Sequence, residues 1–341
     1  MQSGQLLTAL LAWGNKPSGR LAERMAGQRR LPLWRCEDGF LRSLGLGNEG
    51  PPLSLVLDDL GIYYDASRPS RLESPIASPL DEDGRRRAEA LVELWRQERL
   101  SKYNGAAESP VPQQPFVLLV DHTADDLSIR GGLADGTSFA AMLQAARQAH
   151  RDCRIVLRLH PEVVRGRRRG HFAAADLEDP QLVISADGGH PAALLEHAEA
   201  IYVVTSQLGL EALLWGKPVH CFGMPFYAGW GLTSDVLPPP ARRRAGSDRQ
   251  RLIHAGLIDY PRYHDPHRGV RCESERLMAV IGLQQRRRRE LPGRIEAFGF
   301  KPWKQPILRR FLAGSRLRFR LRNAPPIPGG RAPCDLGTGA R

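Results

Sequence analysis

The stretch 201–222, IYVVTSQLGLEALLWGKPVHCF, constrains the fold more than any other part of the chain. Ile201–Val204 is a short β-branched and aromatic run, the composition of a buried strand. It breaks at Thr205-Ser206, whose side-chain oxygens suit a helix cap. The apolar run that follows has helical length up to Gly216, a residue suited to ending a helix. Pro218–Phe222 then reads as a second strand. A strand, turn, helix and strand in so few residues predict a βαβ unit. Backbone N–H groups near Ser206 would face an anion at the helix start. Glu211, five residues on, would reach a sugar hydroxyl on the same ligand. The pattern equally describes an ordinary βαβ unit in which Ser206 only caps and Glu211 is only solvated.

The next residues, GMPFYAGWGLT, place Met224, Phe226, Tyr227 and Trp230 among glycines directly after a strand end. Ligands of open α/β sheets bind at such ends, and an aromatic, glycine-rich loop suggests a shaped wall. Upstream, Phe116–Val120 is a continuous apolar strand running into Asp121-His122-Thr123-Ala124-Asp125-Asp126. A helix over 137–150 and a strand Arg154–Leu159 follow, the latter ending in His160-Pro161-Glu162. Without GxGxxG, this Rossmann-like wrap argues against a dinucleotide cofactor.

Residues 1–104 read as a first α/β half, with strands at Leu31–Arg35 and Leu53–Leu57 and a helix over 80–104. The opening MQSGQLLTALLAWGNKPSG has no cationic start and reads as a first strand or helix, not a signal peptide. GAAESPVPQQP (105–115) is a Pro-rich break, taken as the hinge. The second half spans 116–283. No apolar run approaches the ~18 residues of a membrane span. The net charge of +12 is concentrated: residues 284–322 form a basic tail in which 286–322 hold 13 Lys and Arg against two Glu. The remaining 36 basic and 35 acidic residues nearly cancel, so the tail alone carries the basicity. With Trp303, Phe311 and Phe319 interleaved, it suits a solvated face or an anionic lipid surface better than nucleic acid. Residues 323–341, rich in Pro and Gly, read as disordered. Five scattered cysteines without CxxC spacing fit a reduced cytoplasm and no metal site.

Three residues after successive parallel strands, His160, Ser206 and Glu211, would converge on one crevice. An imidazole at a strand end would stabilise a departing phosphate. Sugar transfer also needs a carboxylate to take the acceptor proton or attack the sugar. Glu37, Asp38, Asp58, Asp59, Asp121, Asp125 and Asp126 all stand at strand ends. Each also suits a turn or cap.

Long motifs resemble those of the capsule-polysaccharide β-Kdo glycosyltransferases of the KpsC/LipA type. They are EDGFLRSLGLG, PPLSLVLDDLGIYYDASRPSRLE, and TSQLGLEALLWGKPVHCFGMPFYAGWGLT. The similarity runs from about Trp13 to about Leu312. It implies a GT-B-like α/β fold, two Rossmann-like domains with parallel sheets facing a central cleft. It also implies retaining transfer of Kdo from CMP-β-Kdo to a phosphatidylglycerol-based glycolipid acceptor, with no metal or other cofactor. By the family pattern His160 would meet the phosphate and Ser206 the phosphate or nucleotide, with Glu162 also in the substrate site. Glu211 would meet the ribose, and Lys217, Tyr227 and Trp230 would line the substrate site. The acidic segment reads VDHTADDLS, so Asp121 and Asp126 hold the family's two acidic positions. Asp126 is favoured as nucleophile of a double displacement, and Glu37 as acceptor base. His122 stands where the family has Gln, and Asp125 where it has a small residue. Relatives often carry two modules in tandem. This chain holds one, and is expected to be a single-module relative, half of a split system or a truncated product. The expected location is cytoplasmic, peripheral on the inner membrane. A second module or other capsule-assembly proteins are possible partners, and a module that binds nucleotide sugar without catalysis is the alternative function.

Overall fold

A computed structural model describes residues 7–46, 50–172, 174–291, 293–312 and 315–320. The chain forms two compact units, 1–285 and 286–341. The segment 323–341, expected to be disordered, lies outside the described residues.

The larger unit contains two sheets. Strands β1 (Leu10–Trp13), β2 (Leu33–Asp38) and β3 (Ser54–Asp58) begin the first. The second is built from β4 (Phe116–Val120), β5 (Arg154–Arg158), β6 (Leu182–Ser185), β7 (Ile201–Val203), β8 (Val219–Cys221) and β9 (Ser234–Asp235). Its order is β6-β5-β4-β7-β8-β9, with every neighbouring pair parallel. The chain winds outward from β4 through β5 and β6, then crosses back to β7. The switch in winding therefore falls between β4 and β7, and ligands of open α/β sheets bind outside the C-terminal strand ends at such a point.

All five residues of β4 are buried, because both faces are covered. Val117 and Leu119 meet Phe139, Met142, Leu143 and Ala146 on one face of helix Thr137–Ala149. Phe116, Leu118 and Val120 point into the other core, the period of two that a strand imposes.

The first sheet departs from the expected parallel pattern. Only β1 and β2 run parallel, while β2–β3 is antiparallel. Strands β10 (Pro261–Asp265) and β11 (Val270–Cys272) then complete it as β1-β2-β3-β10-β11. Residues 116–283 therefore do not feed a single sheet. The alternation of buried Pro261, Tyr263 and Asp265 with exposed Arg262 and His264 is that of a half-buried antiparallel strand. Pro261 stands at the strand's first position, where a missing N–H is tolerated.

The helix expected over 80–104 spans Glu82–Gln97, capped by Asp81 accepting from Gly84 N at 2.8 Å. It stops early because Arg99 takes a left-handed φ of 52°. Buried Asn104 then ties the following turn. It donates through Nδ2 to the Ser101 and Ser43 carbonyls at 2.6 and 3.1 Å, and accepts from Gln285 Nε2 at 2.6 Å. Arg99 binds Glu108 and Glu196, and Ser109 bonds the His190 carbonyl, so the presumed hinge is pinned to the parallel sheet. One continuous core joins both sheets, with Phe40 stacked on Phe226 at 4.5 Å.

In the smaller unit, β12 (Arg294–Phe298) and β13 (Arg316–Arg320) pair in parallel, and helix Gln305–Phe311 lies between them in sequence. Among the described residues, no helix is long and apolar enough to cross a membrane.

Candidate active site

Several charged and aromatic side chains from both sheets gather at the C-terminal ends of the parallel strands. Glu37 is the penultimate residue of β2 and is half-buried. Burial pushes its carboxyl above the ordinary range, against the pull of Lys102. A tight approach makes room for it. Gly14, at φ 51°, lies so close that a Cβ there would come within 2.8 Å of Glu37 Oε2 and 2.5 Å of Tyr64 Oη. Tyr64 accepts the Asn15 N–H at 2.8 Å, and burial lifts its phenol to about 12.

Asp126 caps helix Leu127–Gly131, accepting from Ser128 N at 2.8 Å, with its side chain 42% exposed. Burial works against its charge. The facing His122 and the Ser128 N–H and hydroxyl more than offset that, holding the carboxyl below the usual aspartate range. Ser128 Oγ also meets Thr205 Oγ1 at 3.0 Å, which links this helix to the end of β7.

His160 caps the short helix Pro161–Val164, with Nδ1 accepting from Glu162 N at 3.2 Å. That bond assigns the ring proton to Nε2. Burial lowers the imidazole pKa, against Asp126 and Glu162, so at neutral pH the ring is an uncharged donor.

Lys102 was not singled out by its sequence, yet it sits among these groups. Burial works against its charge, but Tyr103, Asp38, Glu37 and Asp126 outweigh it and raise the ammonium pKa. Its backbone N–H donates to Glu211 Oε1 at 3.1 Å. Glu211 is almost fully buried, also accepts from Gln207 Nε2 at 3.3 Å, and leaves Oε2 without a partner. Desolvation lifts its pKa to about 7. Arg158, at the end of β5, is held by Ser109 Oγ at 3.0 Å and by the Gly189 carbonyl.

Lys102 thus lies within electrostatic reach of Glu37, Asp126, His160 and Glu211, whereas other expected site residues are used differently. Asp121 is sealed beneath residues 170–171. Its Oδ1 accepts from His171 N at 3.2 Å, Oδ2 has no partner, and burial pushes the carboxyl to about 6. A side chain on Gly170 would collide with it. Glu162 is engaged by Arg165 and Arg167 at 3.6 and 3.5 Å. Ser206 does not cap a helix at its first residue. Its Oγ accepts from Leu208 N at 3.3 Å, and the helix Leu208–Leu214 starts after Gln207.

Lys217 precedes β8 and therefore stands at the opposite edge of the sheet. Tyr227 and Trp230 do not wall an open pocket, being 0% and 1% exposed. The Tyr227 hydroxyl donates to the Ser206 carbonyl, and Trp230 Nε1 donates to Phe226 O at 2.9 Å. Gly209 is required here, since a Cβ would strike the Tyr227 hydroxyl. Both rings therefore serve the core that joins the sheets. Of the other carboxylates, Asp58 accepts from Leu60, Gly61 and Arg71 N–H groups and from Tyr260 Oη. Asp38 pairs with Arg42, Asp59 with Arg71, and Asp125 with Arg168.

His122 is buried with neither ring nitrogen hydrogen-bonded, 3.9 Å from Asp126. Burial drops its pKa to about 4, so the contact is not an ion pair at neutral pH. Among the described residues, one group brings metal-type ligands together, His150, Cys153 and Glu199, within 4.8 Å of one another. It lies at the N-terminal edge of the sheet, away from the cluster.

A family model described as capsule polysaccharide biosynthesis protein matches residues 8–104 and 83–263. The capsule polysaccharide modification protein LipA of Neisseria meningitidis serogroup B is 36% identical over 335 residues, covering 93% of this chain and 47% of LipA. The lipopolysaccharide-processing protein LpsZ of Rhizobium meliloti is 36% identical over 286 residues, 81% of this chain and 64% of LpsZ. The chain thus spans about half the length of LipA. The solved structure of Thermosulfurimonas dismutans KpsC, beta Kdo 2,4 transferase, aligns with a TM-score of 0.77 and 40% identity, covering 81% of this chain and 87% of that one. The beta Kdo 2,7 transferase of the same protein aligns at 0.62 and 29% identity, covering 81% and 85%. With its GT-B-like α/β fold, the chain belongs to the capsule polysaccharide biosynthesis family.

Proposed function

We propose that the chain is a retaining β-Kdo glycosyltransferase. It would move Kdo from CMP-β-Kdo to a Kdo- or phosphatidylglycerol-type lipid acceptor in the poly-Kdo linker of a Gram-negative capsule. The observation that carries this reading is the gathering of Asp126, Glu37, His160 and Lys102 at the switch point of the parallel sheet. The likeness to the two Kdo transferase structures supports Kdo as the transferred sugar.

In this reading Asp126 attacks the anomeric carbon as CMP departs, forming a glycosyl ester. Its lowered pKa keeps it ionised and nucleophilic. The neutral His160 donates Nε2–H to the departing phosphate, and Lys102 faces the negative charge of donor and leaving group. Glu37, its carboxyl made a stronger base by burial, takes the acceptor hydroxyl proton as that oxygen displaces Asp126. Glu211 holds the ribose. No step needs a metal. The lipid acceptor places the protein at the cytoplasmic face of the inner membrane, beside a second module or other capsule-assembly proteins.

A nucleotide-sugar-binding module without catalysis is the second reading, favoured by one observation. His122 packs beside Asp126 with both ring nitrogens unpartnered, where the family pattern has a hydrogen-bonding Gln. The deciding experiment is incubation with CMP-Kdo made in situ and a mono-Kdo lipid, read by mass spectrometry. A product heavier by one Kdo is expected, its formation lowered by about 10⁴-fold or more in Asp126→Asn with CMP binding retained. His160→Ala should weaken both CMP binding and turnover. CMP binding without any turnover would establish the second reading instead.

A further inference from the structure

Trp303, Ile307 and Phe311 recur every four residues along the 3₁₀ turn Pro302–Lys304 and the helix Gln305–Phe311 that continues it. They are 64%, 47% and 79% exposed. At about 100° per residue in the helix and about 120° in the 3₁₀ turn, the three fall within roughly 120° of one another. The half-buried residues of the same segment, Gln305, Leu308 and Leu312, lie on a different face. The apolar stripe is therefore not the side by which this helix packs.

Its flanks are cationic. Lys304 and Arg310 project about 60° to either side of Ile307, and Lys304 Nζ sits 5.2 Å over the Trp303 ring. Arg309 points elsewhere, its guanidinium 4.8 Å over Phe319. Among the described residues of the unit, the acidic ones do not offset these cations. Glu296 is taken by Arg320 and Arg294 at 2.7 and 3.6 Å, and Glu290 by Arg287 at 2.9 Å.

Single exposed apolar residues need no explanation, but a stripe of three with cations along both edges does. A nucleic acid would use planar rings for stacking, and Ile307 at the centre offers none. Long cationic side chains edging an apolar strip suit a phosphate layer above hydrocarbon, since their stems reach up from it. We infer that the face formed by Trp303, Ile307 and Phe311 docks on an anionic lipid bilayer. The three apolar side chains enter the headgroup–acyl boundary while Lys304 and Arg310 meet lipid phosphates. This deepens the transferase reading and rests on it for the lipid acceptor.

The test uses the full chain and no sugar donor. Co-sedimentation is measured with vesicles of phosphatidylglycerol and phosphatidylcholine, and with phosphatidylcholine alone. Binding should require phosphatidylglycerol and weaken with salt. The triple change Trp303→Ala, Ile307→Ala, Phe311→Ala should lower it about tenfold or more at equal salt, with the melting temperature retained. Lys304→Glu with Arg310→Glu should do the same. Brominated lipid should quench wild-type tryptophan fluorescence more than that of Trp303→Phe, a readout that does not depend on the triple variant folding. Binding indifferent to phosphatidylglycerol, or equal quenching in the two proteins, would overturn the inference. So would stronger binding to polynucleotide than to vesicles through the same three side chains. Vesicle binding without Kdo transfer would sink only the transferase reading. Transfer to a detergent-dispersed acceptor without vesicle binding would sink only this one.

Discussion

The backbone N–H of Lys102 donates to the Glu211 carboxylate at 3.1 Å, joining the turn after the long helix of the first half to a helix of the parallel sheet. Gln207 bridges the same two parts, donating to Phe40 O at 2.7 Å and to Glu211 at 3.3 Å. The carboxylate that would bind ribose is therefore also part of how the halves are joined.

That burial has a pH signature. Glu211 has its pKa lifted from 4.5 to about 7. A raised folded-state pKa contributes stability that is complete below 4.5 and is lost as pH rises through about 7. The loss amounts to about 3 kcal/mol. Glu211→Gln keeps the acceptor oxygen but cannot ionise. Urea unfolding should show the variant gaining on wild type between pH 5 and pH 8 and matching it near pH 4. Parallel curves at every pH would mean that the carboxylate is ionised in the fold and fully partnered.

His122 has the opposite sign. Its pKa falls from 6.5 to about 4 through burial, so its contribution is complete above 6.5 and is lost as pH drops toward 4. His122→Gln removes that titration and supplies an amide for the unpartnered site. The variant should resist acid better than wild type by up to about 3 kcal/mol at pH 4, measured by chemical denaturation across pH. An unchanged acid limb would place His122 in contact with solvent.

The parallel sheet was legible because its strands are short apolar-rich runs ending in chemistry-bearing residues, as in Phe116–Val120 before Asp121 and Arg154–Leu159 before His160. The return of β10 to the first sheet was missed, although PRYHD alternates as an antiparallel strand does. Its partner is some 200 residues upstream, a pairing that no local pattern reports. The aromatic loop misled for a related reason. Tyr227 and Trp230 look like a ligand wall in sequence, but a loop between two sheets can be core when its glycines admit close packing. Lys102 escaped notice because its neighbours Glu37, Asp38 and Asp126 come from distant segments.

Lys102 offers a direct test of the cluster. Its side chain can be removed without touching the backbone N–H that holds Glu211. Lys102→Met should lower kcat/KM by about 10–100-fold through loss of one charge-assisted contact. Lys102→Arg should recover part of it, and the fall should be smaller at high salt. Wild-type kinetics in Lys102→Met would remove this residue from the site and leave its charge a structural partner of Asp38.

The loop 224–230 is locked by a buried ion pair. Arg243, 1% exposed, donates to Glu73 at 2.7 Å and to the carbonyls of Pro225 and Ala228 at 2.8 and 3.0 Å, with its guanidinium 5.7 Å from the Trp230 ring. Arg242 takes the other Glu73 oxygen at 2.6 Å. Glu73→Ala leaves a buried guanidinium with carbonyl partners alone and should cost about 3–5 kcal/mol. Arg243→Met strands the carboxylate less severely, because Arg242 remains. The double change should cost less than the sum of the two, since neither charge is then left unpaired. Denaturant unfolding of the four proteins measures the coupling. Strict additivity would show that the pair contributes nothing to holding the loop.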